Sequence, residues 1–350
     1  MTDTTADRIG LFEEHRRKPR AIAYAPALIA VAALALVPLR YEDSRATMGV
    51  IIVGLLFACY ATGLNVIFGS SGQLFLCTGA LAGIGGFGTA ILSDDVGIPM
   101  VLSIVLAAGL SAVTGGLLSW IAVSRSLDVI FTGIVTLAFS LSFQSFILGR
   151  RDLTGGESGL RVSAGSDTFL REQVAPYYAF LALLLVFLLL YRFIQRSRMG
   201  WALRALRDDE IAAELSGVNV TRYRVYAGMI GSAMLGVAGG LYAHSEGFIG
   251  PSTYAFGHVD VRTIVMLAFG GLGSLLGPVL GAVAFTILDE ALVEYNELQV
   301  MLYGFAVVAL FLFFRRGVVP TIQSLARVGL RRRPRSRGGP TPHPGHRSVG

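Results

Sequence analysis

The 350-residue chain is 53% hydrophobic and only 15% charged, whereas a soluble domain carries about a quarter charged residues. Apolar runs of about 20 residues recur along it, the length a bilayer core requires, so the net charge of +6 reports orientation in a membrane rather than a nucleic-acid surface. Lys18 is the only lysine and no glycine-rich stretch precedes it, which excludes a P-loop ATPase; if ATP drives this protein, a partner binds the ATP.

Residues 1–20 are polar and end in HRRKPR, a cytoplasmic N-terminal segment in this reading. Ala21–Leu39 is the first span, read as a retained helix because its apolar stretch is long and no small-residue cleavage site follows. Ala46–Ile67 is the second. FGSSGQLFLCTGALAGIGGFGTAIL at 68–92 is glycine-rich, with Ser70, Ser71, Gln73 and Thr78 near its start. Glycine at this density fits tight packing of helices through small residues, or a broken helix whose backbone lines a cavity. The polar cluster favours a break at the start. Cys59 and Cys77 lie in apolar segments without metal-ligand spacing, so neither a disulfide framework nor a metal site is expected.

Ile98–Val123 and Leu127–Leu148 are spans joined by a short turn, and 149–175 is a polar loop. Pro176–Ile194 leads into RSRMGWALRALRDDEIAAELSGVNVTRYR at 196–224, the longest polar passage between the outermost apolar segments. Asp208 or Asp209 is positioned to cap a short helix, Glu210 suits its positive end, and Gly217 suits its left-handed C-terminus. Thr221 is the expected cap of the next span. Ala212 and Ala213 are small enough for that helix to lie close in a partner's groove; a solvated loop is the alternative.

Val225–Ala243 follows, then a turn-like stretch at 244–261. Arg262–Leu292 is apolar but broken by GGLGSLLGP at 270–278, and Leu298–Phe314 is the last span. Residues 317–350 form a basic tail rich in Pro and Gly, expected to be disordered and cytoplasmic near anionic headgroups. Asp260 and Arg262 are the most interesting charges near a membrane segment. They are two apart and do not share a helix face, so they read as a gate for a zwitterion at the outer mouth or as interfacial groups reaching headgroups or water.

Arg and Lys number five in residues 1–20, six in 196–224 and nine in 315–350, which places both termini and the central loop in the cytoplasm. The acidic stretch at 289–297 then lies outside only if 262–292 crosses twice. The expectation is an all-α polytopic membrane protein of about ten crossings (eight if the glycine-rich pieces are re-entrant), each half of the hairpin being shorter than the usual ~20 residues. Without HExxH, GxSxG or a clustered His or carboxylate set, no catalytic residue, metal site or cofactor is expected. An ion-gradient-driven carrier is the competing class; its acids would sit in mid-membrane, whereas here they cluster at segment ends.

GLNVIFGSSGQL at 63–74, IVTLAF at 134–139, LTGG-x-x-GL at 153–160, the loop at 198–224 and GGLGSLLGPVLGA at 270–282 occur in this order and spacing. Together they resemble the permease subunit of branched-chain amino acid ABC transporters of the LivM type, over nearly everything from about residue 50 to 316. The resemblance implies a membrane permease domain at 21–316 in the bacterial plasma membrane. Its implied partners are a second, LivH-like permease, two cytoplasmic ABC ATPases and an extracytoplasmic solute-binding protein, with no nucleic acid. It also implies that Ala212, Ala213 and Gly217, with Arg207, Asp209, Glu210 and Glu214 around them, form an ATPase-coupling loop. Asn65, Ser70, Ser71, Gln73, Thr78, Asp260 and Arg262 are the candidate translocation pathway. The chain departs from the family pattern at Phe75–Thr78, where S-L-G-H is usual, and at Asp260–Arg262, where Ser-Ile-Glu is usual.

Overall fold

The computed structural model describes residues 44–162 and 174–293, with isolated positions at 38, 301, 304, 305 and 308. All but position 38 of the expected first span, the segments 1–20 and 317–350, and all but the isolated positions of the last span lie outside the described residues.

The described residues are mostly helical, as expected. Helix α1 (Arg45–Leu64) runs on into a π-helical turn, Asn65–Ser70. An extended stretch then leads to α2 (Thr78–Asp94), followed by α3 (Met100–Ser124) and α4 (Val129–Gly149). After a structured loop come α5 (Ala175–Arg196), the short α6 (Arg198–Asp208) and α7 (Glu210–Leu215), and the long α8 (Val220–Glu246). Helices α9 (Phe256–Gly270) and α10 (Gly277–Val293) form a hairpin about the GGLGSLLGP break. Among the described residues, five helical stretches are long and apolar enough to cross a membrane: Ala46–Ser70, α3, α4, α5 and α8. Helices α2, α9 and α10 have 17, 15 and 17 residues, short of the ~20 that span a bilayer core.

Helix α4 turns the soluble-protein pattern around. In α4 the buried positions include Thr132, Gly133, Thr136 and Ser140, while Ile130, Phe131, Ile134 and Leu141 are exposed. Lipid is as apolar as leucine, so burial of large side chains gains little there; small residues inside let helices approach and pack. Helices α2 and α8 approach so closely that a Cβ on Gly85 would overlap the Gly236 carbonyl and one on Gly239 the Ala82 carbonyl. Both expectations for the 68–92 segment therefore hold, at different places: its start is broken and its later glycines pack.

One correction to the all-α expectation lies in the 149–175 loop. Leu160–Arg161 (β1) pairs antiparallel with Phe248–Ile249 (β2), Leu160 opposite Ile249. Thr154 of the LTGG motif organises the turn before it, donating to the Ile147 carbonyl at 2.6 Å. The ladder fixes the 149–162 and 247–250 connections at one end of the helical bundle. At the other end Arg207 meets the Gly69 carbonyl, and the 124–128 turn borders Glu210 and Arg224 across a cleft.

Candidate functional site

The central loop is built by local capping. Ser197 caps α6 by accepting from the Gly200 N–H at 3.4 Å. Of the two aspartates expected to cap α7, Asp209 does so, accepting from Ala212 N–H at 3.0 Å. Gly217, at φ +85°, ends α7, and the next N–H, Val218, returns to the Ala213 carbonyl at 3.0 Å. The cap of α8 is Asn219 rather than Thr221: its side chain accepts from Arg222 N–H at 2.8 Å, and Thr221 falls inside the helix.

The two alanines part ways. Ala213 is 5% exposed and packs with Leu206 and Val220 beneath the loop, so it supports α7 rather than facing a partner. Ala212 is exposed, beside Ile211 and Leu215, which are 73% and 85% exposed. Glu214 is exposed on the same short helix. A bidentate pair, Glu210 to Arg224 at 2.8 Å on each arm, fixes the start of α7 against α8, with the Arg224 side chain largely buried and Glu210 exposed.

Beneath this face, arginines join the loop to the breaks in the bundle. Arg207 donates to the Gly69 carbonyl at 2.6 Å, within the π-helical turn. The Asn65 amide, fully buried, clamps the α9–α10 turn from both sides: Nδ2 donates to the Ser274 carbonyl at 2.9 Å and Oδ1 accepts from Gly273 N–H at 2.8 Å. Arg204 donates to the Gln195 side chain at 2.8 Å and its carbonyl at 3.0 Å. Gln195 in turn donates to Ser70 Oγ at 3.0 Å and to the Tyr191 hydroxyl at 2.9 Å. Tyr191, Gln195 and Arg204 were not singled out from sequence. Their only signal was a run of polar groups at the end of a span.

The remaining candidate pathway residues separate into three places. Ser71 donates to the Ile67 carbonyl at 2.6 Å. Gln73, 4% exposed, accepts from Ser119 at 3.2 Å; its Nε2 has no partner among the described residues. It borders a cleft of about 510 Å³ whose far wall includes Glu210, Ile211 and Arg224. Thr78 and Asp260 meet at the start of α2. Asp260 does not reach water or headgroups as its place at a segment end suggested: it is 0% exposed, accepting from Gly79 N–H at 3.0 Å and Ser140 Oγ at 3.3 Å. A carboxylate there faces the positive end of α2 and satisfies an N–H that helix geometry leaves open. Arg262 stands apart from it, 3.2 Å from Asp289 on α10. The departures Phe75 and Cys77 are fully buried in the core.

Broken helices that bury polar groups inside an apolar-faced bundle, with a capped amphipathic loop at one end, are features of membrane transport proteins. The family described as branched-chain amino acid transport system / permease component matches residues 46–314, and the chain belongs to it. It is a permease subunit of an ABC importer. It is 29% identical to the high-affinity branched-chain amino acid permease protein LivM of Salmonella typhimurium, over 79% of this chain and 71% of that one. It is 26% identical to the permease protein LivH of Escherichia coli, over 68% and 82%. The ribose import permease protein RbsC of Haemophilus influenzae is 23% identical over 69% and 73%. No solved structure matches.

Proposed function

We propose that this subunit lines the translocation pathway together with a second, LivH-like permease. In this reading two cytoplasmic ATPases dock on α6 and α7, and an extracytoplasmic binding protein delivers branched-chain amino acids or a related small polar solute. The chain sits in the bacterial plasma membrane with about ten crossings, both termini and 196–224 inside, as the arginine balance favours. The observation that carries the coupling role is the linkage of one loop to two breaks. Arg207 holds the turn that ends α1, and Asn65 in that same turn holds the α9–α10 hairpin. A displacement of α6 by an ATPase is thereby applied to segments whose backbones are not locked in a continuous helix.

Affinity purification of the tagged chain from its native membrane tests the assembly. The expected result is co-purification of another permease and P-loop ATPases, and no ATP hydrolysis by the chain alone; a chain recovered alone under mild detergent contradicts it. Arg207→Ala is expected to keep the ATPases bound yet lower uptake about tenfold, since a charge-assisted hydrogen bond of roughly 1.5–3 kcal/mol is lost between loop and turn. Equal uptake by Arg207→Ala and wild type would remove Arg207 from the coupling route.

Cysteines placed one at a time in otherwise cysteine-free protein give the sidedness. An impermeant thiol reagent added to intact cells is expected to label 152 and 157 but not 208 or 214. Labelling at 208 or 214 inverts the topology.

A further inference from the structure

The start of α6 carries charge and exposed apolar surface together, and the coupling route uses only part of it. From Arg192 to Arg207 the chain has five arginines and no acidic residue; from Asp208 to Glu214 it has four acids and no base. The sign switches at the end of α6, so α6 and α7 differ in charge although only Asp209 separates them. Helix α6 buries Gly200, Ala202, Leu203 and Leu206, while Trp201 is 69% exposed on its outer face. Arg198, Trp201 and Arg204 follow at three-residue spacing and share that face. The Arg204 guanidinium lies 4.6 Å from the Trp201 ring centroid. Arg196 and Arg198 are exposed and make no ion pair among the described residues.

What covers this face follows from α5. Val186, Leu189 and Phe193 are all well exposed, at i, i+3 and i+7 on a helix long and apolar enough to cross a membrane. Lipid lies against such a stripe. Only Ser197 separates the end of α5 from the start of α6. Arg196, Arg198 and Trp201 therefore stand where the span leaves the hydrocarbon, at the depth of the lipid phosphates. Tryptophan suits that depth because its ring is apolar and its N–H polar, and arginine because its stem runs along apolar surface while its head reaches phosphate. A run of arginines just beyond a span is the pattern that anionic lipid attracts.

We propose that the start of α6 is a binding surface for anionic phospholipid headgroups, with phosphates against Arg196 and Arg198 and the Trp201 ring at the base of the headgroup layer. The same lipids repel the acids from Asp208 onward, which turns α7 away from the bilayer and toward soluble partners. The contact also reaches the bundle. Arg204, stacked on Trp201, donates to Gln195, and Gln195 donates to Ser70 of the π-helical turn. Lipid at Trp201 is thereby placed to act on the break that ends α1. The proposal requires that α5 crosses the membrane and is independent of the solute carried.

The test uses the full chain with Trp120→Phe, which leaves Trp201 as the only tryptophan. It is reconstituted in vesicles of phosphatidylcholine and phosphatidylglycerol, with bromine near the headgroup end of the acyl chains of one lipid or the other. Bromine quenches a tryptophan that touches the lipid carrying it. Trp201 is expected to be quenched, with phosphatidylglycerol preferred about fivefold over phosphatidylcholine, the effect of roughly one arginine at a charged surface. Arg196→Gln combined with Arg198→Gln changes two exposed side chains and is expected to make the two lipids quench equally. Adding the ATPases is expected to leave the quenching in place. No quenching by either lipid overturns the membrane contact. Equal quenching before the arginines are replaced, or a preference that survives their replacement, overturns the headgroup site. Quenching that disappears when ATPases bind assigns Trp201 to their docking surface and also overturns it.

Discussion

Leu215→Asp is expected to give a chain that inserts and accumulates normally but no longer holds its ATPases or supports uptake. Leu215 is 85% exposed on a short helix that projects beside Ile211, so nothing inside the subunit needs its side chain. A large apolar side chain left in water at the tip of a loop gains by burial against a partner, about 1.5–3 kcal/mol for a leucine, and an aspartate reverses that gain. Gly217→Val tests the same element through the backbone. A Cβ at Gly217 meets nothing within 4 Å, so crowding is not the obstacle. The obstacle is φ of +85°, where a β-branched residue costs about 1–2 kcal/mol or more, and the end of α7 is reshaped. ATPase pull-down and solute uptake, with membrane levels checked by immunoblot, read both variants. Ala213→Trp is a poorer probe, because Ala213 packs under the loop and its enlargement disrupts α7 from within. Normal pull-down in both Leu215→Asp and Gly217→Val would leave α7 a plain connector.

Asp260→Leu is expected to destabilise the membrane domain, and Asp260→Asn is not. The leucine removes the acceptor of the Gly79 N–H and of the Ser140 hydroxyl, both of which are buried. Each orphaned group costs about 1–3 kcal/mol where no water replaces the bond. The asparagine keeps one carbonyl oxygen for the start of α2. Thermal aggregation of detergent-solubilised protein, followed by size-exclusion chromatography, separates the two: a large loss of midpoint for the leucine variant and a small one for the asparagine. If both variants melt with wild type, Asp260 does not hold α2. If Asp260→Asn is stable yet lowers uptake, the carboxylate has a duty in transport beyond capping.

What sequence reveals here follows the range of the interaction. A cap at Asp208 or Asp209 and an end at Gly217 were legible because a cap is decided within four residues. The choice of Asn219 over Thr221 was not, since both are good caps and the two lie two residues apart; the end of α7 at Gly217 decides which is used. The break at 270–278 was legible because glycine and proline interrupt an apolar run. Asn65 could be marked as polar inside a span, but its partners, Gly273 and Ser274, are some two hundred residues away. Asp260 misled for the same reason. Its position at a segment end suggested an interface with water, whereas Tyr254, just before α9, packs deep against α2 and α8 and carries the start of α9 with it. Ala213 and Ala212 are chemically alike, and only packing distinguishes the supporting residue from the exposed one. A two-residue ladder such as β1–β2 has no periodicity to read.

On the proposed function, ATPases that move the α6–α7 loop drive solute transport by this subunit. Proteoliposomes containing the assembled importer, with binding protein and radiolabelled leucine on the outside and ATP sealed inside, address it directly. The account predicts leucine accumulation that requires the internal ATP, disappears with Leu215→Asp, and persists when a protonophore and a sodium ionophore collapse ion gradients. Accumulation without ATP that collapses with the ionophores would contradict it and make the protein an ion-gradient-driven carrier.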